Sequence, residues 1–404
     1  MNCSKGNSSM NNMSIDMKEA SLNLHRKRKG KVAMRGTTPM KNGTDLAMAY
    51  TPGVAEPCLE IFKDKNTVYD YTMKGKTVAI LTNGTAVLGL GNIGPEAGLP
   101  VIEGKALLLK KFGQVDAMPI CLDSTDSDAI IKTIQMIAPG FGGIHLEDIK
   151  APECFYIEEK LRELLDIPVY HDDQHGTAIA VLAGLYNALK VTGKSIEDAK
   201  IVINGAGASG IATAKLLISA GVKHIVLCDL EGTLLEGDTG LNEAQQSIAQ
   251  VTNRQLEKGS LRDIIKNKDV FIGVSAGNVV DEAMVRSMNA DSIIFALANP
   301  LPEVHPTVAK AGGARIIATG RSDFPNQINN VLVFPGMFKG VLKVRAKDIC
   351  SEMKIAAAKA IADLVREEEL KEDYIVPNVF DKRVSIGVAK AVMKAAREVG
   401  IARV

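Results

Sequence analysis

Short apolar runs typical of buried strands alternate with longer helical stretches along the first half of the chain. An Asn83-Gly84 pair lies between two such runs and predicts a hairpin there. This alternation is typical of an α/β domain. Strands are predicted at 77–81, 115–122, 141–146 and 167–170, and helices at 101–112, 127–138, 152–165 and 176–189.

A second alternating pattern begins at Lys200. The apolar segment 200–204 runs directly into a GxGxxG motif at 205–210, and an uninterrupted helical stretch follows as far as Ile218. The next strand ends at Asp229. A strand, this motif, a helix and an acidic residue in that order are the fingerprint of a dinucleotide-binding fold. Further strands are predicted at 270–274, 292–297 and 315–319, so we expect a Rossmann-type, doubly wound parallel sheet.

Each position of this motif has a predicted role in binding the cofactor. Gly205 permits the turn, Gly207 lets the pyrophosphate approach the backbone, and Gly210 packs the helix against the strand. The intervening Ala206, Ala208 and Ser209 belong to the same loop, and the helix N-terminus offers free amides to the phosphates. Asp229 is placed to bind the ribose hydroxyls.

Asp229 also predicts a preference for NAD over NADP. A carboxylate at this position accepts a hydrogen bond from the 2′-hydroxyl of NAD and repels the 2′-phosphate of NADP. Glu231 adds to that repulsion, and no Lys or Arg follows nearby. Lys223 could reach the phosphate only if the strand ended elsewhere.

An earlier GxGxxG match at 89–94 is not predicted to bind a dinucleotide. Pro95, Gly98 and Pro100 interrupt the region where a helix should follow the third glycine, so the helix is predicted from Val101. Lys105 lies in the first turn of that helix. A surface lysine is the commonest alternative, but a side chain after a glycine-rich turn can point into a cleft.

Two pairs of adjacent carboxylates follow predicted strands, Glu147-Asp148 and Asp172-Asp173. Adjacent carboxylates repel one another when they are buried together, and a hard divalent cation removes that cost. Open α/β sheets place their sites at the carboxyl ends of strands. A zinc site using His171 and His175 is disfavoured, because the HExxH arrangement is missing and carboxylates outnumber imidazoles.

The two ends of the chain have simpler patterns. Residues 1–14 are predicted to be a disordered tail, followed by a helix from Ile15 to Leu24. The basic run 25–31 is interpreted as a solvated helix end. Two amphipathic helices are predicted at 347–369 and 383–399.

Composition narrows the class of protein. The 404 residues carry a formal net charge of +1 and are 46% hydrophobic, which gives no reason to expect a nucleic-acid partner. Six cysteines form no CxxC pair, so a disulfide framework is not indicated and a reducing compartment is expected. No apolar run reaches the length of a membrane helix and the first residues do not resemble a signal peptide, so we expect a cytoplasmic protein.

Several segments together resemble a known family over nearly all of residues 20–400. They are Tyr50-Thr-Pro-Gly-Val54, Gly89-Leu-Gly-Asn-Ile-Gly94, Glu103-Gly-Lys105, Leu146-Glu-Asp148, His171-Asp-Asp-Gln-His-Gly-Thr177, Ala298-Asn-Pro300 and Gly320-Arg-Ser-Asp-Phe-Pro-Asn-Gln-Ile-Asn-Asn330. In this order they resemble the malic enzymes of the short prokaryotic type. The sequence departs from the family at Asn83, where Asp is usual, and at Ala86, where the larger malic enzymes have a substrate-binding Arg.

The resemblance implies oxidative decarboxylation of (S)-malate to pyruvate and CO2, with NAD(P) and Mg or Mn. It also implies a homodimer, an N-terminal malic domain over 15–166, and an NAD-binding domain with C-terminal helices over 167–404. Related reactions stay open, namely decarboxylation of oxaloacetate and a malolactic conversion with retained NAD. A regulatory protein that binds the dinucleotide without turnover is disfavoured, because every named catalytic position is filled.

The resemblance also assigns roles to individual residues. It implies metal ligation by Glu147, Asp148 and Asp173. It implies that Lys105 is the general base, with a pKa lowered by burial and a nearby cation, that Tyr50 protonates C3 of enolpyruvate, and that Asp172 orients Lys105. Asn299 and Asn330 would hold the substrate and the nicotinamide.

Overall fold

The computed structural model describes residues 6–87 and 89–404, and the side chains of residues 17–87 and 89–404. The strands are β1 Thr77–Thr82, β2 Asp116–Cys121, β3 Gly143–Leu146, β4 Val169–His171, β5 Lys200–Asn204, β6 His224–Asp229, β7 Gly232–Thr233, β8 Val270–Gly273, β9 Ile293–Ala296 and β10 Ile316–Thr319. The helices are α1 Gly6–Arg28, α2 Gly43–Ala49, α3 Ala55–Lys63, α4 Val68–Tyr71, α5 Pro95–Leu108, α6 Ser127–Ile137, α7 Glu153–Leu164, α8 Asp172–Thr192, α9 Ala208–Ser219, α10 Glu243–Ala249, α11 Leu261–Ile264, α12 Glu282–Arg286, α13 Pro306–Ala311, α14 Phe334–Lys343, α15 Ser351–Ala362 and α16 Lys382–Glu398.

The first sheet has the strand order β2-β1-β3-β4, and all of its pairings are parallel. Alternate side chains of β1 point to opposite faces, as strand geometry requires. Ala79 and Leu81 pack in one core with α6 and α7. Val78 and Ile80 face the other way, into a core formed with α5, α8 and α14.

The second sheet has the order β10-β9-β8-β5-β6-β7, and only β7 is antiparallel. Its two faces are covered by different helices, as expected of a doubly wound sheet. One face packs in the core that contains α8, α9 and α15. The other face, which includes Val202 and Phe271, packs against α11, α12 and α13. The predicted fold class is confirmed.

One continuous core joins the two sheets. It contains Val78 and Ile80 from the first sheet, Ile201 and Ile203 from the second, and the buried side chains of α8 between them. Strand β4 pairs with β3. The first sheet therefore extends beyond residue 166, where the sequence placed the end of the first domain, and β4 leads directly into α8.

Two sequence-based expectations, one for the tail and one for the hairpin, differ from the structure. Residues 1–5 of the predicted tail lie outside the described residues, but residues 6–14 belong to α1, which begins at Gly6 instead of Ile15. The Asn83-Gly84 hairpin is wrong, because β1 lies between two parallel neighbours, β2 and β3. No helix in the described part of the chain is long and apolar enough to cross a membrane.

The helix after the first GxGxxG motif begins at Pro95, not at Val101. Pro95 occupies the start of α5, where its missing N–H costs nothing. The motif has a different use from that of 205–210. Gly89 has φ +75°, and a Cβ there would lie 2.4 Å from the carbonyl oxygen of Asn299. The loop thus brings the first domain against the second.

Candidate active site between the two sheets

A cleft of about 470 Å³ lies where the carboxyl ends of the two sheets meet. Parallel strands bring the residues that follow them to one edge of each sheet, which places polar groups from distant parts of the chain in a single cleft. Its lining includes Lys105, Glu147, Asp148 and Asp173 from the first part of the chain, and Gly207, Ala208, Ser209, Asn299 and Asn330 from the second.

Three of the lining carboxylates form a cluster. Glu147 and Asp148 directly follow β3, and Asp173 lies in the first turn of α8, directly after β4. One oxygen from each of the three lies within 4.8 Å of the others. The Asp148 backbone N–H donates to Asp173 Oδ2 over 2.9 Å, which fixes the two segments relative to each other. The structure therefore brings together the three predicted metal ligands.

This cluster is electrostatically suited to a divalent cation. Burial and the neighbouring charges of Glu147 and Asp173 raise the pKa of Asp148 to about 9. Burial and Glu147 also raise the pKa of Asp173. Asp148 Oδ2 is buried and has no hydrogen-bond partner among the described residues. Three crowded carboxylates with an unused oxygen fit a hard cation such as Mg or Mn, which prefers oxygen ligands.

Lys105 lies beside the cluster and is buried. Its Nζ is 3.1 Å from Glu147 Oε1, contacts the carboxylate of Asp172, and lies 4.8 Å from the centre of the Phe334 ring. Burial lowers the pKa of Lys105, but the charges of Asp172, Glu147 and Asp173 outweigh it and raise this pKa. The sequence-based expectation of a lowered pKa counted burial and a bound cation but not these carboxylates, whose charge a cation at the cluster would offset.

His145 is a part of the site that the sequence reasoning missed. Its Nε2 lies 2.9 Å from Glu147 Oε2, and its ring stacks on Phe338. Burial lowers its pKa to about 3. His145 and Glu147 are two residues apart around the end of β3, so strand alternation puts them on the same side. That spacing is the signal that could have identified it.

The histidines of the His-Asp-Asp-Gln-His segment are not assembled as a zinc site. His175 Nε2 lies 2.7 Å from Glu158 Oε1, and His175 Nδ1 lies 3.0 Å from Lys354 Nζ. His171 Nε2 is 3.6 Å from Asp173 Oδ2. His175 is thus held in a buried ionic network behind the carboxylates.

In a single chain, Tyr50 does not line this cleft. It ends α2, its residue surface is 65% exposed, and it is not among the residues that line the cleft. Helices α2 and α3 contain no buried side chain. The predicted acid and the predicted base of the reaction are therefore separated in the single chain.

The second GxGxxG motif has the geometry of a dinucleotide loop. Gly205 has φ +116°, and a Cβ on Gly210 would lie 1.7 Å from the carbonyl oxygen of Gly205, so both positions require glycine. A Cβ on Gly207 would meet nothing within 4 Å. The space beside Gly207 is open for a ligand, and the N-terminus of α9 begins there.

Asp229 lies in a second cavity, of about 350 Å³, that adjoins this loop. It ends β6, and its Oδ1 accepts a hydrogen bond from the backbone N–H of Glu231 over 3.0 Å. The residues described as lining the cavity include no Lys or Arg. Lys223 precedes β6, at the opposite end of the strand from Asp229, and is paired with Glu197 over 2.6 Å.

Asn83, the departure from the family pattern, has a structural explanation. Its Nδ2 donates to the carbonyl oxygen of Ser124 over 3.1 Å, while its Oδ1 accepts from the Thr85 hydroxyl over 2.7 Å. An aspartate could accept the second bond but could not donate the first. Ala86 lines the cleft, so this chain has no Arg side chain at that position.

The fold and the cleft define a two-sheet, dinucleotide-binding protein with a carboxylate cluster beside a buried lysine. Comparison with known families agrees. The N-terminal domain of malic enzymes matches residues 29–162, and the NAD-binding domain of malic enzymes matches residues 174–397. The chain belongs to the malic enzyme family.

Individual relatives differ in the activity for which they are named. The "Bifunctional malic/malolactic enzyme" of Bacillus subtilis strain 168 is 56% identical, over 96% of this chain and 95% of that protein. The "NADP-dependent malic enzyme" of Haemophilus influenzae is 47% identical over 96% of this chain, which spans 54% of that protein's length. The crystal structure of an NAD-dependent malic enzyme from Thermotoga maritima superposes with a TM-score of 0.89 and 45% identity, covering 92% of this chain and 98% of that one.

Proposed function

We propose that this protein converts (S)-malate to pyruvate and CO2, with reduction of NAD in preference to NADP and with Mg or Mn. The observation that supports this best is the meeting of three parts in one cleft, namely the carboxylate cluster, the Lys105 ammonium and the dinucleotide loop. Glu147, Asp148 and Asp173 are the proposed metal ligands. Gly205, Ala206, Gly207, Ala208, Ser209, Gly210, Asp229 and Asn299 are the proposed cofactor-binding residues.

The proposed mechanism assigns proton chemistry to Lys105. When bound, the dinucleotide supplies a hydride acceptor and the cation a Lewis acid. Lys105 must first lose its ammonium proton to solvent, and the neutral Nζ then takes the proton of the C2 hydroxyl. Glu147 contacts Lys105 and also belongs to the carboxylate cluster, so neutralising Glu147 weakens its hold on the ammonium proton. Asp172 holds Lys105 in place from the other side.

Asn299 and Asn330 are the proposed substrate contacts. Both line the cleft that contains the carboxylate cluster. An amide can donate to a carboxylate of malate and accept from an amide of the nicotinamide. With Ala86 in the same lining, these uncharged groups would replace the Arg of the larger enzymes.

Tyr50, the proposed acid for C3, requires a second copy of the chain. Its helix α2 and the following α3 bury no side chain, and Leu46, Met48 and Phe62 are exposed there, Phe62 to 86%. An apolar surface of this kind is typical of a subunit interface. We infer a homodimer formed through α2 and α3, in which each subunit presents Tyr50 to the cleft of the other.

The preference for NAD is supported by Asp229. Its carboxylate faces a cavity whose described lining offers no cation to bind a 2′-phosphate. Lys223 lies a strand length away, roughly 20 Å at about 3.3 Å per residue, and cannot compensate.

One assay tests the proposed activity. Purified protein is supplied with malate, Mn²⁺ and either NAD or NADP, while absorbance of the reduced nicotinamide and the products are followed. Stoichiometric pyruvate, CO2 and NADH are expected. Lactate without free NADH would indicate the malolactic reaction named for the Bacillus subtilis relative, and no malate-dependent product would overturn the proposal.

A further inference from the structure

A buried glutamate outside the cleft connects two loops, after β8 and β9, that line the cleft. Glu303 is 0% exposed and lies between β9 and α13, after Asn299-Pro300. Within the described residues the groups acting on it are hydrogen-bond donors, and no Lys, Arg or His is among them. A buried carboxylate without a cation is costly unless hydrogen bonds satisfy it. The hydrogen-bond donors to Glu303 therefore indicate what this side chain does in the fold.

The two oxygens of Glu303 bind the backbone of two different loops. Oε1 accepts from the Ser275 N–H over 2.8 Å, and Oε2 accepts from the Ala298 N–H over 3.0 Å. Ser275 follows β8, and Ala298 follows β9 and precedes Asn299. Both residues line the cleft, whereas Glu303 does not.

The linkage continues to the dinucleotide loop. The Ser275 hydroxyl accepts from Asn204 Nδ2 over 2.7 Å, and Asn204 is the last residue of β5, directly before Gly205. Three neighbouring strand ends, those of β5, β8 and β9, are therefore connected through one carboxylate. The geometry even requires a glycine beneath it, since a Cβ on Gly273 would lie 2.3 Å from Glu303 Cδ.

We propose that Glu303 is a positioning residue that sets the distance between the dinucleotide loop and Asn299, and so aligns nicotinamide with substrate. This inference rests on the proposed function for its catalytic consequence. The carboxylate is required because it offers an acceptor to each loop. A glutamine keeps the size but has one acceptor, and its amide N–H₂ would face a backbone N–H.

The test compares Glu303→Gln with wild type and with a matched control, Asp269→Asn. Asp269 also accepts a hydrogen bond from the backbone of this sheet, the Lys200 N–H, over 2.9 Å. It does so at the amino ends of the strands, away from the cleft. Thermal unfolding, NAD dissociation by calorimetry, Mn²⁺ dissociation by electron paramagnetic resonance, and kcat with protiated and C2-deuterated malate are measured. Glu303→Asp, one methylene shorter with its charge intact, serves if the glutamine variant does not fold.

For Glu303→Gln we expect the NAD dissociation constant to rise and kcat to fall, each by about tenfold or more. A misplacement of the reacting groups by about 1 Å can lower the rate a hundredfold. The deuterium isotope effect should rise, and Mn²⁺ dissociation should stay within about twofold. Kinetics equal to wild type, or an equal loss in Asp269→Asn at the same melting temperature, would overturn the proposal. A wild type that binds NAD but does not oxidise malate would overturn the proposed function, while the NAD-binding comparison would still test Glu303.

Discussion

Ser209 donates a hydrogen bond from its hydroxyl to the main-chain carbonyl of Asp173, over 2.7 Å. Ser209 lies in the dinucleotide loop, and Asp173 is one of the clustered carboxylates. The proposed cofactor site and metal site are therefore in direct contact through one side chain. Movement of either segment must be accommodated by the other.

Replacing Ser209 should uncouple the two sites. In Ser209→Ala, NAD should strengthen Mn²⁺ binding less than it does in wild type, by several-fold, because a hydrogen bond contributes about 1 kcal/mol. Mn²⁺ dissociation is measured with and without NAD. Ser219→Ala, at the exposed far end of the same helix, is the control, and an unchanged NAD effect in Ser209→Ala would contradict the coupling.

Removing one anionic ligand should weaken metal binding and activity together. Asp173→Asn and Glu147→Gln should each raise the Mn²⁺ dissociation constant by at least about tenfold. Electron paramagnetic resonance of free Mn²⁺ gives the constant directly. Glu153→Gln is the control, since Glu153 pairs with Lys150 outside the cluster. Full activity of Asp173→Asn at low Mn²⁺, or of wild type in excess chelator, would show that the ligand set is wrong.

The proposed base and the proposed acid can be removed in separate variants and then brought together in a mixed dimer. Lys105→Ala should lose malate oxidation, and Tyr50→Phe should lose protonation of enolpyruvate more than hydride transfer. Mixed dimers of the two variants should regain about a quarter to a half of wild-type turnover, because one cleft then has both residues. Turnover of the mixture no higher than that of either variant alone would place both residues in one subunit.

Asp229 should determine the choice of dinucleotide. Wild type should favour NAD by roughly a hundredfold in kcat/KM, since repulsion of the 2′-phosphate can cost several kcal/mol. Asp229→Ser should reduce that ratio, while Glu231→Gln should change it less. A wild type that favours NADP, or an unaltered ratio in Asp229→Ser, would refute the assignment.

Glu158 should make the protein sensitive to acid. Burial opposes its ionisation, but the contact with His175 and the charge of Lys354 outweigh burial and hold the Glu158 pKa below its ordinary value. Burial lowers the pKa of His175 itself to about 4, so above that pH His175 contributes a hydrogen bond and Lys354 the charge. The ordinary pKa of Glu158 is 4.5, so the stabilisation is complete above pH 4.5 and is lost as the pH falls towards 2.

Urea unfolding of wild type and Glu158→Gln checks this expectation. The difference in free energy of unfolding should be large at pH 7 and shrink between pH 4.5 and pH 2. Glu163→Gln on the exposed side of the same helix should show little difference at any pH. A difference for Glu158→Gln that is independent of pH would mean that its charge is not responsible.

The sequence predicted most strands and the second glycine loop, because apolar periodicity and glycine spacing are local properties. It failed where the outcome depends on distant partners. Asn83-Gly84 has the local signature of a hairpin, yet β1 is paired on both sides by parallel strands. The direction of the Lys105 pKa depends on carboxylates more than forty residues away in sequence, and the exposure of Tyr50 depends on how α2 and α3 pack, so neither could be predicted from its neighbours.

The long helix α8 has one further consequence. It starts with Asp172 and Asp173, of which Asp173 lines the cleft, and its last third carries Asn187, which donates to the carbonyls of Ala362 and Ile375 inside the core that both sheets share. We therefore expect the two sequence domains to fold as a single cooperative unit. Neither half could be expressed alone with a complete core, and heat or urea should melt both in the same transition.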